Sequence, residues 1–92
     1  MIVRIMGEGQ FEIPESLVEG LNKLDDAVFA AVESGDEAAF RSNLTALLAA
    51  VRSGGEPVPA ETLVPSDASL PYEEATLEEV RALLRDDGLI PG

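Results

Sequence analysis

The chain has no cysteine, no histidine and no tryptophan among its 92 residues, and only one tyrosine and three phenylalanines. Without cysteine there is neither a disulfide framework nor a thiolate metal site, which suits a reducing compartment. Without histidine the usual base near neutral pH is missing, and the lack of cysteine removes the strongest nucleophile as well. Catalysis would then fall to a carboxylate with a raised pKa, a lysine with a lowered one, or an activated hydroxyl. The only lysine, Lys23, stands close to Asp25 and Asp26, and such neighbours favour its charged form. These absences predict a protein that is not an enzyme and that holds no cofactor or metal.

Positive charge is also scarce. Six basic residues face eighteen acidic ones, a formal charge of −12. Arg4, Lys23, Arg41, Arg52, Arg81 and Arg85 are scattered along the chain, so no basic stripe offsets the repulsion from phosphate backbones or anionic lipid. Neither nucleic-acid binding nor direct membrane insertion is expected, and the acidic excess reads first as a source of solubility. No run approaches the ~18 apolar residues of a membrane span. The opening MIVRIM is too short for the hydrophobic region of a secretory signal. A cytoplasmic protein with one domain over 1–92 is expected, its core compact because a chain of this size buries only about 60–65% of its unfolded surface.

Among the features present, RIMGEGQF joins two strand-like runs. A loop of Gly7-Glu8-Gly9 would pair Met6 with Gln10, Ile5 with Phe11, Arg4 with Glu12 and Val3 with Ile13, placing Val3, Ile5, Phe11 and Ile13 on one face. A shorter loop of Glu8-Gly9 would set Ile5 against Glu12 and Arg4 against Ile13, which the pairing disfavours. Gly9, at the last loop position, would take the positive φ that such hairpins need. A phosphate cradle would require the glycines to lead into a helix N-terminus, whereas here they lead into a second strand. A turn is the favoured reading, with a small-ligand or anion sensor at Gly7-Glu8-Gly9 as the alternative.

From Pro14 the period lengthens: Leu17, Leu21, Leu24, Val28 and Val32 mark a helix from about Pro14 or Ser16 to Ser34, with Ser16 and Glu19 as a capping box. Gly20 inside it implies either tight packing or a tolerated weakness. Gly35 suits a left-handed helix end and Asp36 the next N-cap, so a second helix folds back antiparallel to about Ser53, burying Phe40, Leu44, Leu47, Leu48 and Val51. Alanines 38, 39, 46, 49 and 50 would permit close helix approach, which would also suit a homodimer.

Pro57, Pro59, Pro65 and Pro71 exclude a helix between Gly55 and Ala75. A stretch of that length without structure is rare in a small domain, so a third strand is expected within Ser66 to Leu70, with Thr62 to Val64 as the other candidate. Thr76 and Glu79 form another capping box, and Leu77, Val80, Leu83 and Leu84 give the last helix a buried stripe up to about Asp87, before Gly88 and Pro91. The order β-β-α-α-β-α predicts an α+β fold, a small antiparallel sheet covered by helices on one face.

The acidic pairs Asp25-Asp26, Glu73-Glu74, Glu78-Glu79 and Asp86-Asp87 read as solvated surface, because adjacent helical residues diverge and none sits in the spaced loop of an oxygen cage. A weak hydrolase using acidic residues near Tyr72 stands beside the anion sensor as a second alternative, motivated only by the clustered carboxylates. More informative is the hairpin's other face, where Ile2 and Met6 flank Arg4 away from the helices. Ile2, Arg4 and Met6, extended by Leu89 and Ile90, are the candidate partner-binding residues; alternatively the tail at Leu89 and Ile90 folds back over them.

Taken in order, MIVRIMGEGQF, LNKLDDAVFAAVESGDEAAFR, PSDASLP and ATLEEVRALLRDDGLIPG resemble the PspA-associated domain, with the GEGQ turn and the GLIPG ending its most distinctive pieces. The resemblance implies a non-enzymatic companion of PspA, the coiled-coil peripheral membrane protein of the phage-shock type of envelope stress response. It implies a cytoplasmic adaptor or regulator that reaches the inner face of the cell membrane through that partner. It carries no catalytic motif to transfer.

Overall fold

The computed structural model of the chain describes residues 1–62 and 64–83. Its elements run β1 (Ile2–Ile5), β2 (Gly9–Glu12), α1 (Glu15–Ser34), α2 (Glu37–Gly54), β3 (Glu56–Pro57), β4 (Ala68–Leu70) and α3 (Leu77–Leu83). This is the expected α+β fold and element order with one strand more, β3. The strands form one sheet in the order β3-β2-β1-β4.

The hairpin forms, in a register displaced by two residues from the expected one: Ile2 faces Glu12, Val3 faces Phe11, Arg4 faces Gln10 and Ile5 faces Gly9. The loop is therefore Met6-Gly7-Glu8. Its cause is a tight turn in which the Glu8 N–H donates to the Ile5 carbonyl at 2.9 Å and Gly7, third of the four residues, takes φ 85°. That position of a type II turn needs a left-handed φ, which Gly7 supplies, and Gly9, just past the loop, takes the expected positive φ as well, at 117°. A slip of one residue would have exchanged the faces, but a slip of two preserves them. Val3, Ile5 and Ile13 are accordingly buried together, with Phe11 packed against them.

The sheet is mixed rather than wholly antiparallel. β3 pairs antiparallel to β2, and β4 pairs parallel to β1 at the opposite edge, with Val3 beside Ala68 and Ile5 beside Leu70. The intervening chain crosses from one edge to the other and enters β4 in the direction of β1. Ala68 and Leu70 are buried and Ser69 exposed, which continues the alternation of β1. A strand as short as β3 leaves no periodic trace, and Pro57 is tolerated there because the strand lies at an edge.

Helix α1 starts at Glu15 and ends at Ser34, within the expected bounds, but its start is capped differently. Ile13 is tied to Met1 by backbone bonds of 2.7 and 3.1 Å, so only Pro14 separates strand from helix. Pro14 occupies the N-cap with no side-chain cap, and Ser16 lies inside the helix, so the expected Ser16–Glu19 box does not form. The buried stripe is Leu21, Asp25, Val28, Ala31 and Val32. Leu17, 38% exposed, falls outside it, and Leu24 is only half-buried. Asp25, at 1% exposure, corrects the expectation that both members of the Asp25-Asp26 pair are solvated; Asp26 is exposed. Position 25 lies one turn from 21 and from 28, on the side that meets the core.

The junction after α1 follows its local chemistry. Gly35 takes φ 72°, its N–H and that of Asp36 reach back to Val32 and Ala31 at 3.2 and 3.0 Å, and the Asp36 carboxylate accepts the Ala39 N–H at 3.0 Å. α2 then buries Phe40, Leu44, Leu47, Leu48 and Val51, as its spacing predicts. At α3 the Thr76 hydroxyl accepts the Glu79 N–H at 3.1 Å, and the Glu79 carboxylate accepts the Thr76 N–H at 2.9 Å. Leu77 and Val80 are buried. The side chain of Leu83, and Leu84, Asp86, Asp87, Gly88 and Pro91, lie outside the described residues.

Candidate functional site

The sheet's outer face is built by alternation on β1. Arg4 is exposed, Met6 is 48% exposed and Ile2 is half-buried. Arg4 stands opposite Gln10, and Glu12 stands opposite Ile2, as the two-residue displacement requires. The face is not bare. Residues 58–62 and 64–67, between β3 and β4, lie against it as a strap held from both ends.

At one end the Val58 N–H donates to the Gln10 carbonyl at 2.9 Å. The Gln10 amide then donates to the Val64 carbonyl at 2.9 Å and to the Ser66 hydroxyl at 2.7 Å. At the far end the Asp67 carboxylate accepts the Ile2 N–H at 2.8 Å, and the Asp67 N–H donates to the Ile2 carbonyl at 2.7 Å. Between strap and sheet lies a cleft of about 300 Å³ whose walls include Ile2, Glu12, Glu56, Val58, Thr62 and Val64. Of the three described candidates, Ile2 thus belongs to a cleft and Arg4 and Met6 lie open beside it. Leu89 and Ile90, the other two, lie outside the described residues, so it is the strap that partly covers the face among the described residues.

Gln10 and the strap are the parts that sequence reasoning missed. Gln10 follows the turn with the parity of Arg4, which places it outward, but its acceptors lie more than fifty residues on. No local signal connects them.

The glycine turn carries a different arrangement. Arg52, on α2, donates from Nε to one Glu8 carboxylate oxygen at 2.8 Å and from Nη2 to the other, and its Nη1 lies 3.5 Å from Glu73. The Arg52 hydrogen bonds hold Glu8 below the usual carboxylate range and raise the guanidinium's own pKa further. An anion approaching the turn would meet the Glu8 carboxylate, and the neighbouring cation is already bidentate to it. The turn leads to β2 and to no helix N-terminus, so the features of a phosphate cradle are not assembled there.

Two other arginines, both exposed, are also tied to the chain's own backbone. Arg41 donates to the Glu73 and Ala75 carbonyls and lies 5.2 Å from the Phe40 ring centre, while Arg81 donates to the Val32 carbonyl at 2.9 Å. Each therefore braces an irregular segment or a helix end, which leaves Arg4 and Lys23 as cations without such contacts among the described residues. Near Tyr72, the phenol donates to Glu79 at 3.1 Å. That bond raises the Tyr72 pKa, and the Thr76 backbone N–H, followed by Tyr72, lowers that of Glu79. A general acid at neutral pH needs the opposite shift in its carboxylate.

No group of three or more histidine, cysteine, aspartate or glutamate side chains among the described residues could hold a metal ion. No helix among them is long and apolar enough to cross a membrane.

Comparison with known families finds that the family model described as PspA-Associated protein matches residues 1–92. Searches of curated proteins and of solved structures return no significant match. The chain belongs to the PspA-associated family.

Proposed function

We propose that this protein is a non-enzymatic adaptor that binds a PspA-like coiled-coil protein in an envelope stress response, acting in the cytoplasm and reaching the membrane surface through that partner. The observation that carries the reading is the family match, which spans the chain from end to end and whose description names the association. The absence of histidine and cysteine supports it from the side of chemistry, since the side chains that most often do acid–base and nucleophilic work are missing.

The docking face is the open part of the outer sheet, Met6 and Arg4 beside Ile2. Met6 is one of three large apolar residues left exposed among the described ones, and a flexible thioether suits a surface that must fit a partner's side chains. The test is co-purification with the PspA-like protein. Substituting Met6→Glu should weaken binding by about tenfold or more, since interface hot spots contribute ~2 kcal/mol or more, while thermal unfolding stays unchanged. Binding retained at full strength would remove this face from the reading.

A further inference from the structure

The β2–β3 pairing places Glu12 directly opposite Glu56. Directly opposed residues of an antiparallel pair point to the same side, and like charges there repel. Both are exposed, and neither has a hydrogen bond or ion pair to a cation among the described residues. They line the outer-face cleft beside its aliphatic part, where Ile2, Val58 and Val64 are half-buried and Pro57 adjoins them. The cleft, about 300 Å³, lies at the low end of ligand pockets, with room for one or two side chains and not for a large cofactor.

We propose that this cleft receives an apolar side chain of a helical partner, and that a lysine or arginine one turn away on that helix bridges Glu12 and Glu56. The reading rests on the adaptor function above and specifies the partner's chemistry. A bridging cation would relieve the repulsion that the strand pairing builds in, so the pair favours a basic occupant over a neutral one. A second copy of the chain is the wrong occupant. It carries the same charge of −12 and so meets the glutamate pair with net repulsion; Arg41, Arg52 and Arg81 are tied to its own backbone and carboxylates, and the untied Arg4 and Lys23 do not offset that charge.

The test uses the full chain and two synthetic helical peptides, each with leucines along one face, one with lysine and the other with glutamate a turn away. Binding is read by fluorescence anisotropy and located by backbone amide shifts. The lysine peptide should bind about tenfold more tightly, shift Ile2, Glu12, Val58 and Val64, and lose that advantage in the Glu12→Gln/Glu56→Gln double variant. Its affinity should also fall as salt shortens the Debye length from about 10 Å towards about 3 Å. Equal binding of the two peptides, shifts located elsewhere, or an unaffected double variant would each overturn the proposal. The same double variant should melt no lower than the parent, because it removes a repulsion and no buried contact.

Failure of the cleft is distinguishable from failure of the adaptor reading. If the PspA-like protein binds the chain and the double variant equally well, the cleft falls and the adaptor stands. If the lysine peptide takes the cleft and the PspA-like protein does not bind at all, the adaptor falls and the cleft stands.

Discussion

The two faces of the amino-terminal hairpin are made by the same dozen residues and have opposite fates. On the inner face Val3 and Ile5 are 0% exposed and Ile13 is 1% exposed, in one core with residues of α1 and α2. On the outer face Met6 is 48% exposed, Arg4 is open, and cover comes from a strap held by hydrogen bonds to Gln10 and Ile2. Apolar burial secures one side and directional polar bonds secure the other. The outer side can therefore be rearranged or occupied without loss of the core, which is what a docking surface requires.

The largest effect that separates the faces is truncation. Replacing Ile5 by alanine should lower stability by about 2–5 kcal/mol, whereas Met6→Ala should stay within about 0.5 kcal/mol. Equal losses in urea unfolding would erase the contrast. Gly55 probes the inner side from the opposite direction, by addition. A Cβ there would sit 2.6 Å from Ile13 Cδ1 and 2.8 Å from the Val51 carbonyl oxygen. One of those neighbours is backbone, so Gly55→Ala should be destabilising by about 1–3 kcal/mol, read as a fall in melting temperature.

Gly20 gives the matching addition on an open surface. Nothing lies within 4 Å of where its Cβ would stand, and the residue is mid-helix. Gly20→Ala should raise stability by about 0.5–1 kcal/mol. A loss would mean that the outward side of α1 is not open.

The smallest effect concerns Glu8, whose pairing with Arg52 ties the hairpin tip to α2. Its folded pKa lies below its ordinary value, so its contribution is present above that value and disappears as pH falls through the depressed one. With both side chains about a third exposed, Glu8→Gln should lower stability by less than about 1 kcal/mol. The difference between parent and variant should hold above the ordinary carboxylate pKa of about 4.3 and shrink as pH falls below it, followed by melting temperature against pH. A difference that grew on acidification would contradict the pairing.

Much of the framework was legible in the chain because its signals are local. The α2 stripe is set by spacing along a single helix, the Gly35-Asp36 junction by a left-handed glycine and an N-cap carboxylate, and the start of α3 by the reciprocal Thr76 and Glu79 bonds. The candidate site was only half legible. Alternation placed Ile2, Arg4 and Met6 outward, but the cleft beside Ile2 depends on a strap whose anchors, Gln10 and Asp67, bond across the sheet. Two α1 readings failed for a related reason. Ser16 looked like a cap, but the Met1–Ile13 tie leaves Pro14 at the N-cap and Ser16 inside the helix, and Asp25 looked solvated until the packing of α1 turned positions 21, 25, 28 and 32 inward.

Which side chains of residues 2–13 share a face follows from the two-residue period of extended backbone, and that held even though the strands paired two residues away from the expected register. The register itself, the parallel docking of β4 and the strap over Ile2 were decided only in the folded molecule. The reason is physical. Alternation and capping depend on bonds within a few residues, whereas strand neighbours are chosen by the total burial and hydrogen bonding of segments far apart in the chain.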